Sequence, residues 1–281
     1  MKSRRNKSTL KKTLQPRPRA LLTRLQPIWS DLVVALNSRW AKFSDQNLVK
    51  PNLTKANLLG SGYFGLVFST SNKKLVFKIT TDPDEGAFSQ LILSDPFMRY
   101  NQGLPFIFDV FKLTELDSYI ILRENVSFGN VDMPSSSPFI RTIDALDTYG
   151  FEYKKIESQT VKLLNAMYAS GGRLLPQEYE LALREAQGLI RMEILKCLKR
   201  LPNTSPNSKY APSIQLIKYA LSTYGVALWD LHAMNLGKHI YDMREFDSKI
   251  PPLDKDIILI LDIGGNWGSP ILDFSIDTLD I

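Results

Sequence analysis

Trp29, Leu32, Val33, Leu36 and Trp40 recur every three or four positions, and that period predicts one amphipathic helix over residues 27–43. From Leu53 the texture changes to short runs of β-formers. Strands are predicted over residues 55–60, 65–70 and 74–80, with glycines between the first two and a Ser71-Asn72 turn before the third. Asp82-Pro83-Asp84-Glu85 opens a helix, because acids in a first turn face the positive end of the helix dipole; Phe88, Leu91 and Ile92 carry its apolar side. Runs at 106–112 and 118–123 add two strands, so the first half reads as a five-stranded antiparallel sheet with one helix.

The second half is more helical. Helices are predicted over 152–168, 176–200 and 213–224, with Leu183, Ala186, Ile190, Ile194 and Cys197 as the core-facing stripe of the second. Pro134–Pro138 and Asn203–Pro212 have loop composition. Ile257–Leu261 is an unbroken apolar run, the signature of a strand buried on both faces. The fold class is therefore α+β, divided into a basic flexible arm at 1–26, a sheet-bearing unit with a leading helix at 27–125, and a mostly helical unit at 126–281.

Charge changes the picture only at the start. The net charge is +6, yet Lys2 to Arg24 contains nine Lys or Arg and the first acid is Asp31, so the rest of the chain is nearly neutral. Such a block is read as a solvated tail, broken by Pro16 and Pro18, or as a contact for nucleic acid or an acidic partner. It also fits a transit peptide, and it has no apolar segment of the kind a secretory signal carries. One cysteine excludes an intramolecular disulfide, and with two histidines argues against zinc held by several Cys or His ligands. No apolar run approaches the roughly 20 residues of a membrane helix, so no membrane partner is expected.

Candidate chemistry begins at Gly60-Ser61-Gly62-Tyr63-Phe64-Gly65-Leu66-Val67, a G-x-G-x-x-G-x-V pattern. The residues after Gly65 are β-formers, so the loop joins two strands in a hairpin rather than a strand to a helix. Glycine there lets the backbone approach phosphate oxygens and adopt positive φ; a plain glycine-containing hairpin is the alternative. Lys78 follows on the third strand between Phe77 and Ile79, where an unpaired ammonium is costly and calls for an anion. Glu85, Asp82 or Asp84 fits as its protein partner, Glu85 first. An edge-strand lysine reaching water is the bland reading.

Downstream, Asp230-Leu231-His232-Ala233-Met234-Asn235-Leu236-Gly237 places an Asp five residues before an Asn, and the apolar strand Ile257–Leu261 delivers Asp262 ahead of Ile263-Gly264. Here the chain resembles the protein-kinase-like superfamily, and its D-L-H-x-x-N-x-G form is similar to small bacterial and bacteriophage kinases and to aminoglycoside or choline kinases. The resemblance covers residues 55–125 and 213–265. It implies a two-lobed fold with a reduced C-terminal lobe, and ATP and Mg²⁺ as cofactors. It also implies a serine/threonine protein substrate, and a cytoplasmic setting, that of a bacterial host for a phage-encoded chain.

By the same resemblance Gly60, Ser61, Gly62, Tyr63, Gly65, Val67, Lys78 and Glu85 bind the nucleotide. Lys78, Asp230 and His232 are catalytic, and Asn235 and Asp262 hold the metal. Phosphoryl transfer asks mainly for positioning and charge neutralisation, which fits a lysine, two carboxylates and an amide. His239 is read as structural, and Asp273 as a decoy for Asp262.

The departures are equally specific. Leu228-Trp229 stands where the family has His-Arg, which removes activation through a phosphorylated loop paired to that Arg. No A-P-E element follows Gly264, so the helices of 138–224 are expected to supply the second lobe. The charged, proline-rich excursion at 239–255 is expected to be a substrate or partner loop. A small-molecule kinase, a silent kinase-like binding module and a nucleotidyl transferase stay open as alternatives.

Overall fold

The computed structural model describes residues 16–54, 57–62, 64–128, 139–146, 148–149, 152, 155, 177–201, 208–228, 235–261, 266–267 and 278–279. Two helices lead the fold, α1 (Pro16–Leu25) and α2 (Trp29–Arg39), with one-turn 3-10 segments at Gln26–Ile28 and Ala41–Phe43. The main sheet contains β1 (Leu58–Ser61), β2 (Gly65–Ser69), β3 (Leu75–Thr80), β4 (Ile107–Leu113), β5 (Ser118–Glu124) and β11 (Thr278–Leu279), in the order β1-β2-β3-β5-β4-β11. The five expected strands pair antiparallel; the sixth, β11, is an unforeseen edge strand parallel to β4. Helices α3 (Pro83–Ser94) and α4 (Pro96–Arg99) connect β3 to β4.

Alternation along β3 gives the sheet two different faces. Leu75, Phe77 and Ile79 point to one side, where with Phe68, Phe111, Ile120 and Leu122 they meet Leu21, Leu25, Trp29, Leu32, Leu36 and Trp40 of the leading helices. Trp29 lies 5.4 Å from Phe68 and Trp40 lies 5.6 Å from Phe77, ring centre to ring centre. Asp109 of β4 fastens α2 by accepting from Arg39 Nε at 2.5 Å and Trp40 Nε1 at 2.8 Å.

The flexible arm expected over 1–26 is thus corrected for its second part. Residues 16–25 are helical, and Leu21 and Leu25 are buried. Pro16 and Pro18 sit in the first turn, where a missing N–H costs nothing because those donors have no intrahelical acceptor. Residues 1–15 lie outside the described residues.

Val76, Lys78 and Thr80 face the other way, toward α3 and the second half of the chain. There Phe88, Leu91 and Ile92 of α3 join Val110 and Ile121 of the sheet. The same core takes in Ile194 and Leu198 from α6 (Gln177–Lys199), and Ile214 and Ile217 from α7 (Ala211–Tyr224). On α6, Ile194 and Leu198 are buried and Cys197 only half so, which rotates the expected stripe by one residue. Residues 139–146 form α5, whose Phe139, Ile140, Ile143 and Leu146 line this core. The predicted helix 152–168 falls almost wholly outside the described residues.

Among the described residues, two small sheets lie in the second half. One holds β6 (Ser127–Phe128), β8 (Leu236–Lys238) and β9 (Ile258–Ile260); the other pairs β7 (Ala227–Leu228) with β10 (Asn266–Trp267). Helix α7 ends at Gly225, whose φ of 67° turns the chain directly toward β7. The free edge of β9 is closed by loops: Ile258 N–H donates to Lys209 O at 2.9 Å and Ile260 N–H to Gly103 O at 2.8 Å.

The excursion at 239–255 packs against the sheet-bearing half. Met243 and Ile250 are buried in the core beneath the leading helices. Lys74 pairs with Glu245 at 2.7 Å, and Asp247 accepts from Tyr100 at 3.1 Å and Arg99 at 3.2 Å. Its contacts are those of a strap between the halves.

Candidate active site

Lys78 emerges from β3 opposite Val67 on β2 and Ile121 on β5, so these three side chains share one face. The next element begins only a few residues later. Asp82 caps α3, its carboxylate accepting from Asp84 N–H at 3.0 Å and Glu85 N–H at 3.4 Å. That cap fixes the helix phase and aims Glu85 back at the sheet, where Oε1 meets Lys78 Nζ at 2.5 Å. Of the three acids offered by the sequence, Glu85 takes the lysine. Burial pushes the Asp82 carboxyl above its ordinary value, the nearby Glu85 charge adds to this, and the two N–H donors pull the other way.

Glu85 is only 2% exposed and Lys78 14%, so the pair is largely out of water. Two glycines make it possible. A Cβ on Gly86 would lie 2.3 Å from the Tyr119 ring, so only glycine lets α3 settle on β5 here. A Cβ on Gly65 would lie 2.8 Å from Ile79 O and 3.1 Å from Lys78 Cε, so β2 passes against the lysine stem.

The loop before Gly65 is a closed turn. Gly62 N–H donates to Gly65 O at 2.9 Å, and Phe64 O accepts from Thr81 N–H at 2.8 Å and Thr81 Oγ1 at 3.0 Å. None of Gly60, Gly62 and Gly65 has positive φ, which corrects the conformational reason expected for them. Nothing lies within 4 Å of a Cβ built on Gly60 or Gly62, so both bare backbones face open space. Ser61 is exposed at the end of β1, and Tyr63 lies outside the described residues.

The downstream residues divide in the same way. Asp230 and His232 fall at 229–234, and Asp262 at 262–265, outside the described residues. Their flanks are described, and they are cross-paired. Before the first stretch, Leu228 of β7 pairs with Asn266 of β10, which follows the second. After the first stretch, Leu236 of β8 pairs with Ile260 of β9, which precedes the second. Leu261 N–H donates to Asn235 O at 2.8 Å, closing that end one residue earlier. Gly237 permits this crowding: a Cβ there would lie 2.2 Å from Ser127 O and 2.9 Å from the Leu261 side chain. The sequence includes Gly237 in its motif and gives no sign of why.

Arg123 joins the two regions and was not foreseen. It pairs with Val76 across β3 and β5, on the face of Lys78, and its Nη1 donates to Leu261 O at 3.1 Å. Its neighbour Glu124 turns the other way and is fully buried against His239, Nδ1 to Oε2 at 2.8 Å. His239 Nε2 meets Gln102 O at 3.1 Å, and the ring stacks on Phe106, so the structural reading of His239 is its observed setting.

The backbones of Gly60 and Gly62 front open space, Lys78 stands on the same sheet with β2 between its strand and β1, and Asn235 and, in sequence, Asp262 carry hard oxygen donors of the kind Mg²⁺ takes. Among the described residues no cluster of three His, Cys, Asp or Glu could hold a metal. A surface cavity of about 500 Å³ lined by Lys74, Asp242, Arg244, Glu245 and Ser248 does not include Lys78, and its charges are paired with one another. No helix among the described residues is long and apolar enough to cross a membrane.

No family profile matches the sequence, and no curated protein matches it. Among solved structures the chain is similar in part to a thermostable mutant of the aminoglycoside phosphotransferase APH(4)-Ia in apo form, at TM-score 0.20 and 13% identity. The match covers 32% of this chain and 33% of that one, so it spans about a third of the relative's length. The likeness is partial and weak.

Proposed function

We propose that this protein is an ATP- and Mg²⁺-dependent phosphotransferase whose acceptor is a serine or threonine hydroxyl of a protein. The observation that carries the reading is the cross-pairing of the flanks of the Asp230 and Asp262 stretches, tied through Arg123 to the sheet face that bears Lys78. The choice of a protein acceptor comes from the sequence resemblance.

In this reading Lys78, steadied by Glu85, would donate to phosphate oxygens, and the open backbones of Gly60 and Gly62 would leave room for them. Val67 packs on the same face beside it. Asn235 and Asp262 hold the metal through their side-chain oxygens. Bound magnesium supplies positive charge that offsets the charge of the phosphates. Asp230 accepts the proton of the attacking hydroxyl, a task that suits a carboxylate within hydrogen-bond reach. His232 contacts the phosphate when it is protonated. The basic start of the chain is a contact for nucleic acid or an acidic partner.

The test is incubation with γ-labelled ATP and Mg²⁺, alone and with bacterial lysate. Label on protein serine or threonine, absent in Asp230→Asn, is the expected result. Label confined to small molecules would replace the acceptor, label from the α position would replace the reaction, and no transfer at all would overturn the assignment.

A further inference from the structure

We propose that the seam between α5 and α6 is a binding site for a phosphate group, held between the guanidinium groups of Arg141 and Arg200. It shares no residue with the Lys78 face and does not depend on the phosphotransferase reading.

The seam follows from the way the two helices are buried. Phe139, Ile140, Ile143 and Leu146 of α5 go into the core with Ile194 and Leu198 of α6. Arg141, Thr142 and Ala145 on the first helix are left exposed or half-buried, as are Cys197 and Arg200 at and just past the end of the second. These five residues line a cavity of about 300 Å³. That is the lower end of the size range for small-ligand sites.

The two cations set this cavity apart. Among the described residues neither guanidinium has a hydrogen bond or an ion pair. The acids nearest in sequence do not neutralise them. Glu193, one turn before Cys197, is taken by Lys196 at 2.6 Å. Asp144, one turn after Arg141, forms no ion pair among the described residues.

A cation at the C-terminal end of a helix is ordinary, because it faces the negative end of the dipole, and that accounts for Lys196, Lys199 and Arg200. It does not account for Arg141, which lies in the first described turn of α5, where the dipole repels positive charge. A phosphate between the two offsets both charges, and the planar fork of a guanidinium matches phosphate oxygens. Thr142 adds a hydroxyl to the lining. Burial pushes the Cys197 thiol above its ordinary value, so that wall of the cavity carries no charge near neutrality.

Cys197 is the single cysteine of the chain, so its reactivity reports on this cavity alone. The measurement is the rate at which a small uncharged maleimide labels the intact protein at pH 8. It is made in sodium phosphate, in O-phosphoserine and in sodium chloride of equal ionic strength, with circular dichroism to establish folding. Phosphate or phosphoserine is expected to slow labelling in a saturable way, and chloride is not. Protection by inorganic phosphate at least as strong as by phosphoserine names the free ion as the ligand; stronger protection by phosphoserine names an ester, and either supports the site. Arg141→Gln and Arg200→Gln are each expected to need ~10- to 100-fold more phosphate for the same protection, the range for losing a hydrogen bond to a charged group. Lys255→Gln, which removes one positive charge from an exposed position elsewhere, is expected to behave as wild type.

Equal slowing in chloride would overturn the proposal by reducing the effect to ionic strength. Unchanged protection in folded Arg141→Gln or Arg200→Gln, or an equal loss in Lys255→Gln, would overturn it too. So would wild-type protein that neither phosphate nor phosphoserine protects.

Discussion

Glu85 Oε1 lies 2.5 Å from Lys78 Nζ, and the carboxylate is almost wholly buried while the lysine stem runs against Gly65. The pair is held by a helix cap at Asp82 and by the absence of a side chain at Gly86. Two partners drawn from adjacent elements are enough to orient an ammonium on a sheet face.

The burial of Glu85 revises the simplest expectation for Lys78→Ala, a dead but well-folded protein. Removing one partner of a buried pair strands the other charge, at a cost on the order of 3–5 kcal/mol. Lys78→Met is therefore expected to lose both turnover and stability in urea unfolding. Lys78→Met with Glu85→Leu is expected to regain most of the stability and none of the turnover. Equal stability of the single variant and wild type would show that the pair is more hydrated than its geometry implies.

The loop glycines are expected to separate in kind. Gly65→Ala meets backbone and should destabilise the fold by about 1–3 kcal/mol, the usual range for overpacking. Gly60→Ala and Gly62→Ala meet nothing within 4 Å and should leave the melting temperature unchanged while lowering nucleotide affinity. Thermal melts and a nucleotide titration on the three variants check this; an affinity loss confined to Gly65→Ala would contradict it.

Gly237→Ala is expected to be among the most damaging single-methyl additions in the chain. The new carbon would press on Ser127 O, a backbone atom, and on Leu261, next to Asp262. Relief requires β6 and β8 to part, so soluble yield and urea midpoint should both fall. A stable Gly237→Ala protein would mean that the three-stranded sheet yields easily there.

Asp95 links the two halves in a pH-dependent way. It caps α4 and accepts from Tyr224 at 2.5 Å and Tyr219 at 2.9 Å, both on α7. Burial pushes its carboxyl up, and bonds from Tyr224, Met98 N–H, Tyr219 and Phe97 N–H more than offset this, leaving it below the ordinary 3.8. A depressed carboxyl contributes stability above its unfolded value, and this is lost as pH falls through the folded one. Tyr224→Phe should thus cost about 1.5–3 kcal/mol near neutrality, the range for a bond to a charged group, with the difference shrinking below about pH 4. A difference that is constant with pH would place the cost in packing instead.

Much of the sheet was legible because alternation along a strand is a strong signal: the ranges of β2, β3, β4 and β5 follow from it within a residue or two. Helix α1 is hidden in the sequence because Pro16 and Pro18 read as breakers, although Leu21 and Leu25 continue the spacing that leads to Trp29. Strand β11 is two residues long, too short for any period to mark it.

Within the site, Lys78 and Glu85 were legible from local sequence, since seven positions separate them. Arg123 was not, because its partner is a carbonyl 138 positions away and backbone acceptors carry no residue signature. Gly237 likewise owes its identity to a strand laid down more than a hundred positions earlier.

The central claim is best tested by a crystal structure with Mg²⁺ and a non-hydrolysable ATP analogue. The account predicts Lys78 Nζ within hydrogen-bond reach of a phosphate oxygen, and one metal ligated by both Asn235 and Asp262 with Asp230 facing the terminal phosphate. A nucleotide seated elsewhere, or a metal bound without Asn235 and Asp262, would contradict it.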